Sequence, residues 1–227
     1  MRYAHVLSLA VAALGFVLLV DGRAAEQAGQ VKELFNGRNL DGWRYYLADH
    51  LTGMEDVWSV KDGVLVCKGE PMGYIYTKQA FKNFRVSLEY RWGGEKPGNS
   101  GVLMRLNGKP MPLPRCLECQ LQHGKAGDLY GFHGMKLAGD EGRLRQVKGH
   151  ELGGDLTGVA RAAGAENEPG QWNKLEVVAQ GGSLRVTMNG KLVNEAKDAE
   201  VVAGPIGLQS EGGEVHFRNI RVETLPD

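Results

Sequence analysis

Residues Phe84–Trp92 read FRVSLEYRW. Phe84, Val86, Leu88, Tyr90 and Trp92 alternate with Arg85, Ser87, Glu89 and Arg91, a period of two that puts the apolar side chains on one side of an extended chain. A helix of the same sequence would scatter the aromatics around its surface. The segment is therefore read as a strand with one face on a core and the other in water.

The flanking sequence repeats the theme. Trp58–Gly69, WSVKDGVLVCKG, sets Asp62-Gly63 between two β-rich runs, and Leu184–Ala196, LRVTMNGKLVNEA, sets Asn189-Gly190 in the same way. Both dipeptides accept the positive φ angles of a two-residue type I′ turn. Gly181-Gly182 in LEVVAQGGSLRVTM gives a third reversal, and GEVHFRNIRVETL closes the chain with another strand. Helix signals are confined to single turns at Glu55–Val57 and Thr77–Ala80. Many short antiparallel strands need two packed sheets, because one sheet alone would leave an apolar face in water. The expectation is an all-β, two-sheet antiparallel β-sandwich of the jelly-roll kind, with any ligand on the concave face of one sheet.

The first residues, MRYAHVLSLAVAALGFVLLVDGRAAEQAG, carry Arg2 ahead of an apolar run from Val6 to Val20. That run is about 15 residues, short of the roughly 20 that span a bilayer, and small residues follow at Gly22, Ala24 and Ala25. Residues 1–25 are read as a cleaved signal peptide. This leaves 26–227 as a single sandwich domain, periplasmic or secreted, with no stable membrane span after cleavage. An uncleaved anchor is the alternative, disfavoured because no charged cluster follows the run. The 27 acidic residues balance 27 Lys plus Arg; without a basic stripe, no nucleic-acid partner is expected. The three cysteines leave at least one unpaired within a monomer, and Cys67 could bridge Cys116 or Cys119 if their strands are neighbours.

Chemistry concentrates in Cys116–Gly134, CLECQLQHGKAGDLYGFHG. In an extended strand Cys116, Glu118, Gln120 and Gln122 share one face, and Leu117, Cys119 and Leu121 the other. The two cysteines then point to opposite sides, which argues against a redox pair. A structural zinc site lacks a second closely spaced ligand pair. A looser catalytic metal site from Glu118 and His123 with His133 or Asp128 stays open, so a divalent metal is the one cofactor considered. An ordinary solvated sheet face is the plain alternative. Against it stand Asn99-Ser100-Gly101 at a turn, before a strand whose alternation puts Arg105 with Leu103 and Gly101, and Tyr130 in a Gly-rich loop. A carboxylate, amides, a guanidinium and an aromatic ring on one face suit sugar hydroxyls and a sugar ring.

The blocks ELFNGRNLDGW, GYIYTKQAFKNFRVSLEYRW, GNSGVLMRL, LECQLQ with DLYGF, GQWNKLEVVAQGGSLRVTMNGKLV and GPIGLQSEGGEVHFRNIRVETL together resemble the 3-keto-disaccharide hydrolase family, formerly domain of unknown function 1080. The resemblance runs from Val31 to Leu225. It implies a concanavalin A-like lectin and glucanase sandwich, exported, acting on glycosides oxidised to a ketone at C3. It carries the family's Glu-x-Gln pair onto Glu118 and Gln120, and its strand arginine onto Arg105. Two positions depart: His123 stands where members often have Asp, and Ser210-Glu211 where they often have Asp-His.

A C3 ketone acidifies the C2 proton and places the C1 leaving group β to the carbonyl. Elimination followed by hydration gives net hydrolysis, which needs a base near C2, an electrophile at the C3 oxygen and an acid at the departing oxygen. The expected roles are Glu118 or His123 as base, Arg105 or a metal at the enolate oxygen, and Gln120, Gln122, Tyr130 and Asn99 positioning substrate; His216 is a further candidate for the missing histidine. A non-catalytic carbohydrate-binding module is the second reading. A conventional retaining glucanase ranks third, because LECQLQH has one carboxylate where such strands carry a Glu-x-Asp-x-x-Glu pattern.

Overall fold

The computed structural model describes residues 29–94 and 96–227; the signal peptide read at 1–25 lies outside the described residues. In chain order the first strands are β1 (Val31–Glu33), β2 (Trp43–Leu47), β3 (Trp58–Lys61), β4 (Val64–Cys67), β5 (Gly73–Thr77) and β6 (Phe84–Trp92), with the one-turn helix α1 (Met54–Val57) before β3. There follow β7 (Gly101–Asn107), β8 (Arg115–Gln120), β9 (Leu129–Gly131), β10 (Leu144–His150) and β11 (Gly154–Val159). The last are β12 (Asn173–Gln180), β13 (Ser183–Met188), β14 (Lys191–Ala196), β15 (Gly207–Ser210) and β16 (Val215–Thr224). One sheet runs β14-β13-β12-β6-β16-β4-β3 with β1 added beside β16; the other runs β10-β11-β9-β8-β7-β15-β5-β2. All pairings are antiparallel.

β6 sits inside the first sheet between β12 and β16, and its alternation is carried out to the letter: Phe84, Val86, Leu88, Tyr90 and Trp92 are buried while the intervening residues are half-exposed. They pack in one core with Val102, Met104, Leu117, Cys119, Leu121 and Leu208 from the second sheet. Each large side chain so buried contributes about 1.5–3 kcal/mol before chain entropy is subtracted. The turns follow their dipeptides, with φ of 51° and 77° at Asp62-Gly63 and 50° and 81° at Asn189-Gly190.

Two expectations are corrected. Thr77–Ala80 forms no helical turn: Thr77 ends β5 opposite Trp43 of β2, and its N–H and that of Lys78 donate to Ile206 O and Gly42 O at 2.9 Å, so pairing with neighbouring segments holds the start of the expected turn extended. Cys67 makes no disulfide. It lies on β4 of the first sheet, Cys116 and Cys119 lie on β8 of the second, and all three thiols are free and buried. Desolvation pushes the Cys67 thiol up to about 11.

The second sheet departs from simple inside-outside alternation. β7 and β8 are buried on nearly every residue, because their outer face carries a second apolar cluster of Tyr74, Leu103, Leu106, Leu113, Cys116 and Phe132. Side chains on that face are thus held in a poorly hydrated setting, and the site lies there.

Candidate active site

Residues standing opposite one another across antiparallel strands point the same way. One such row crosses the whole second sheet: Arg44 opposite Tyr76, then Gly207, Leu103, Glu118, Tyr130, Gly158 and Arg145. Glu118 is near its middle. The adjacent row holds Tyr46, Tyr74 and Gln209 on one side and Gly101 opposite Gln120 on the other.

Glu118 is 1% exposed, and its Oε1 has no hydrogen-bond partner. It lies back over Gly101, where a Cβ would overlap Glu118 Oε1; the glycine makes room for the carboxyl. Burial, and after it the charge of Glu211, push the Glu118 carboxyl well above the ordinary carboxylate range. Glu211 is raised too, by burial, with a hydrogen bond from Gln209 working in the opposite direction. Asn99 Nδ2 donates to Glu211 Oε2 at 2.8 Å. The buried oxygens Asn99 Oδ1 and Gln209 Oε1 are, like Glu118 Oε1, without partners. Buried polar atoms normally find one, so several orphans around a carboxyl mark a place where water or a ligand completes the bonding.

Tyr130, opposite Glu118, stacks on Phe132 at 5.8 Å between centroids and 9° between planes. Its phenol is pushed up to about 12, by burial first and then by Asp128 and Glu118, while Arg145 pulls the other way. Tyr130 is therefore neutral at ordinary pH, with its O–H directed at Asp128; it donates to a ligand oxygen by turning from that carboxylate. Gly158 clears its ring, since a Cβ there would come within 2.8 Å of Tyr130 Cε1. Gln120 closes β8 with its side-chain oxygen accepting from Leu121 and Gln122 N–H groups, both at 2.9 Å. What it can offer a ligand is its amide N–H pair.

The other sequence-derived candidates are placed elsewhere. Arg105, expected beside Glu118 by alternation, sits at a register shift between Met104 and Asn107 with φ of 53°. This bulge turns its side chain off the Glu118 face. The buried guanidinium donates instead to Lys82 O, Gly181 O and Glu200 O at 2.7–3.1 Å. His123 pairs with Glu166 at 3.1 Å. Glu166 in turn accepts from Tyr90 Oη at 3.0 Å, Trp92 Nε1 at 3.4 Å and Gly124 N–H at 3.0 Å, so His123 belongs to a brace on the rings of β6. β8 ends at Gln120 and the chain turns, Lys125 N–H donating to Gln122 O, which removes Gln122 from the alternation that put it beside Glu118. His133 Nε2 bonds Leu113 O at 2.8 Å. His216 is on the outer face of the first sheet, bonded to Glu214 at 2.7 Å and Arg91 at 3.2 Å. Asp128 accepts from Arg161 N–H at 2.8 Å and acts on Tyr130.

The metal set Glu118, His123, His133 and Asp128 is thus dispersed, and no group of three or more His, Cys, Asp or Glu that could hold an ion occurs among the described residues. The oxygens of Glu118, Glu211, Asn99 and Gln209 are the donors this face provides, and oxygen donors of this kind suit hard cations. Gln209, Glu211 and Arg145 were missed as site residues. Glu211 departs from the family pattern in sequence, and it is the pairing of β15 with β7, with Asn99 bonded to Glu211, that brings Gln209 and Glu211 to the Glu118 end of the face.

A two-sheet sandwich bearing a buried acid, unpaired amide oxygens and stacked rings on one sheet face is a carbohydrate-handling sandwich of the lectin and glucanase kind. The comparisons with known proteins narrow this. The chain belongs to the 3-keto-alpha-glucoside-1,2-lyase-like domain family, whose model matches residues 30–223. A 3-keto-disaccharide hydrolase of Bacteroides thetaiotaomicron is 24% identical over 85% of this chain and 77% of its own length. Among solved structures, a proposed glycosyl hydrolase from Parabacteroides distasonis superposes with a TM-score of 0.63 at 22% identity, covering 92% of this chain and 99% of that one. A carbohydrate binding module from Bacillus subtilis gives a TM-score of 0.56 at 14% identity over 81% and 96% of the two chains. At these identities the superpositions establish the fold; family and relative together make this a glycoside hydrolase-like protein.

Proposed function

We propose that the protein cleaves the glycosidic bond of 3-keto glycosides by elimination and hydration. The observation that carries the reading is the buried, partnerless carboxyl of Glu118 beside Glu211. Two carboxyls in one poorly hydrated place do not ionise together easily, so the more buried one, Glu118, keeps the proton and Glu211 carries the charge. That gives an acid and a base within one cluster.

Glu211, oriented by Asn99, takes the proton from C2 as the C2–H bond breaks. The electron pair passes through the enolate, whose oxygen accepts from the Tyr130 phenol with Arg145 nearby. The C1–O bond then breaks, and Glu118 gives its proton to the departing oxygen. Water adds at C1 of the resulting enone, its proton passing to the Glu118 carboxylate, and Glu211 returns the first proton to C2. A divalent cation would be held by Glu211 with the amide oxygens of Asn99 and Gln209, where it would add charge stabilisation at the ketone; the protonated Glu118 stays outside that set. His123 and Arg105, first expected as base and enolate partner, have no part in this scheme, being bound to Glu166 and to backbone carbonyls.

The test is incubation of purified protein with a 3-keto glucoside and its unoxidised parent, with and without chelator. Cleavage of the keto substrate alone is expected, with Glu118→Gln and Glu211→Gln each lowering kcat/KM by about 10²–10⁴-fold. Binding of both sugars with cleavage of neither would replace this reading by a carbohydrate-binding module, as in the Bacillus subtilis neighbour of the same fold.

A further inference from the structure

Glu118 lies on β8 and Glu211 directly follows β15, with β7 between those two strands. The start of β7 and the residues just ahead of it, 98–101, reach both sides. Gly101 lies under Glu118, where a Cβ would overlap Oε1. Ser100 is fully buried; its Oγ donates to Gln209 O and its carbonyl accepts from Leu121 N–H, both at 2.8 Å. Asn99 donates its N–H to Gly212 O and its Nδ2 to Glu211 Oε2, each at 2.8 Å. Four consecutive residues are thus engaged with β8, with the Glu211 segment, or with both.

Gly98 is held to glycine by space. Its φ lies outside the left-handed region, so conformation alone does not demand the residue. A Cβ there would overlap Gly212 O and lie 2.7 Å from Gly213 Cα. Gly69 approaches the same segment: a Cβ on it would overlap Gly213 O and lie 2.6 Å from Gly213 N. Gly69 O accepts from Gly212 N–H at 2.7 Å, and Ser210 Oγ donates to Pro71 O at 3.0 Å. The chain that carries Glu211 is therefore gripped between two loops, backbone against backbone. Close-packed backbone cannot swing aside as the end of a long side chain can, so a methyl at Gly98 must displace that chain.

We infer that residues 98–101 are the spacer that fixes Glu211 against Glu118, with Gly98 as its positioning residue. This rests on the acid–base reading above and deepens it, by assigning what holds the two carboxyls in place. Of the other titratable groups near Glu118, Tyr130 across on β9 and Cys116 and Cys119 on its own strand are kept neutral by burial. Glu211 is the charge that acts on it, so the titration of Glu118 reports how near Glu211 stands.

The experiment uses the full chain and its Gly98→Ala variant, with Gly190→Ala as a control at a hairpin turn outside the spacer. Two readouts are taken: kcat and KM on a 3-keto glucoside across pH, and carbon-13 NMR titration of the Glu118 carboxyl, assigned with Glu118→Gln. In Gly98→Ala kcat should fall by about 10²-fold, the scale of a displacement near 1 Å, with KM close to the wild-type value. The alkaline limb of the rate profile and the Glu118 titration should both move to lower pH, by about one pH unit. Gly190→Ala should move neither. An unchanged Glu118 titration in Gly98→Ala, or an equal shift in Gly190→Ala, overturns the inference whatever the rates. If wild-type protein cleaves no keto substrate, the enzymatic reading fails, and the NMR titration alone decides the spacer by the same criteria. Should Gly98→Ala not fold, Ser100→Ala, which removes the bond to Gln209 O, takes its place: a lowered Glu118 titration upholds the spacer and an unchanged one overturns it.

Discussion

Glu118 is the residue whose surroundings do most to define the chain's chemistry, and its burial has a thermodynamic signature. Its folded-state pKa is raised above the ordinary 4.5, so the native state holds a proton that the unfolded chain releases as pH rises. The associated stability is fully present below about pH 4.5 and falls as pH climbs toward the folded value. Glu118→Gln has no such titration, so its melting temperature should rise relative to the wild type between about pH 4 and pH 8; a constant difference would contradict a buried, protonated Glu118. Arg105 gives the opposite case, a residue whose type suggested chemistry and whose partners are structural. Arg105→Lys cannot reach Lys82, Gly181 and Glu200 carbonyls together, and urea unfolding should show a loss of about 2–4 kcal/mol with turnover per folded molecule retained. The position of Glu118 could be read from alternation alone, since its strand is regular up to Gln120. His123 was not legible, because its partner Glu166 is 43 residues away in sequence and arrives through loop packing.

Among the elements, β6 and the two type I′ hairpins were legible, because both signals are local: a period of two and a dipeptide that tolerates positive φ. The bulge in β7 was not. GVLMRLN reads as an unbroken strand, and nothing in those letters announces that Arg105 takes φ of 53°; the three carbonyls that hold its guanidinium come from distant segments. One residue out of phase reverses the facing of a side chain, which is why alternation placed Leu103 correctly and Arg105 wrongly. The same strand supplies a prediction at its other end. Gly101→Ala sets a methyl where Glu118 Oε1 lies, so kcat should drop and the alkaline limb of the pH–rate profile, set by the acid that must stay protonated, should move. An unaltered profile would mean that Glu118 is not the titrating acid. Gly158→Ala tests the facing position in the same way, through the Tyr130 ring.

At the level of the whole molecule, the two-sheet architecture followed from the count of short strands, but the order of strands within each sheet did not. β6 pairs with β12 and β16, and β15 inserts between β7 and β5; such pairings join segments far apart in sequence, and local patterns carry no record of them. The site was hidden for the same reason, being assembled from β8, β9, β15 and the loop at Asn99. The arrangement stacks two apolar layers on one sheet, the inter-sheet core within and the Tyr74–Phe132 cluster outside. The three free thiols are divided between them, Cys67 and Cys119 in the inner layer and Cys116 in the outer. A thiol reagent can react only when its layer opens, so labelling with an aromatic disulfide should proceed in two kinetic phases, the faster absent from Cys116→Ser. A single phase at the rate of global unfolding would mean that the layers separate together. Two phases would make the outer layer an independently breathing cover, so that the rate at which a ligand reaches Glu118 is set by a few side chains on the sheet surface and not by the stability of the sandwich that carries them.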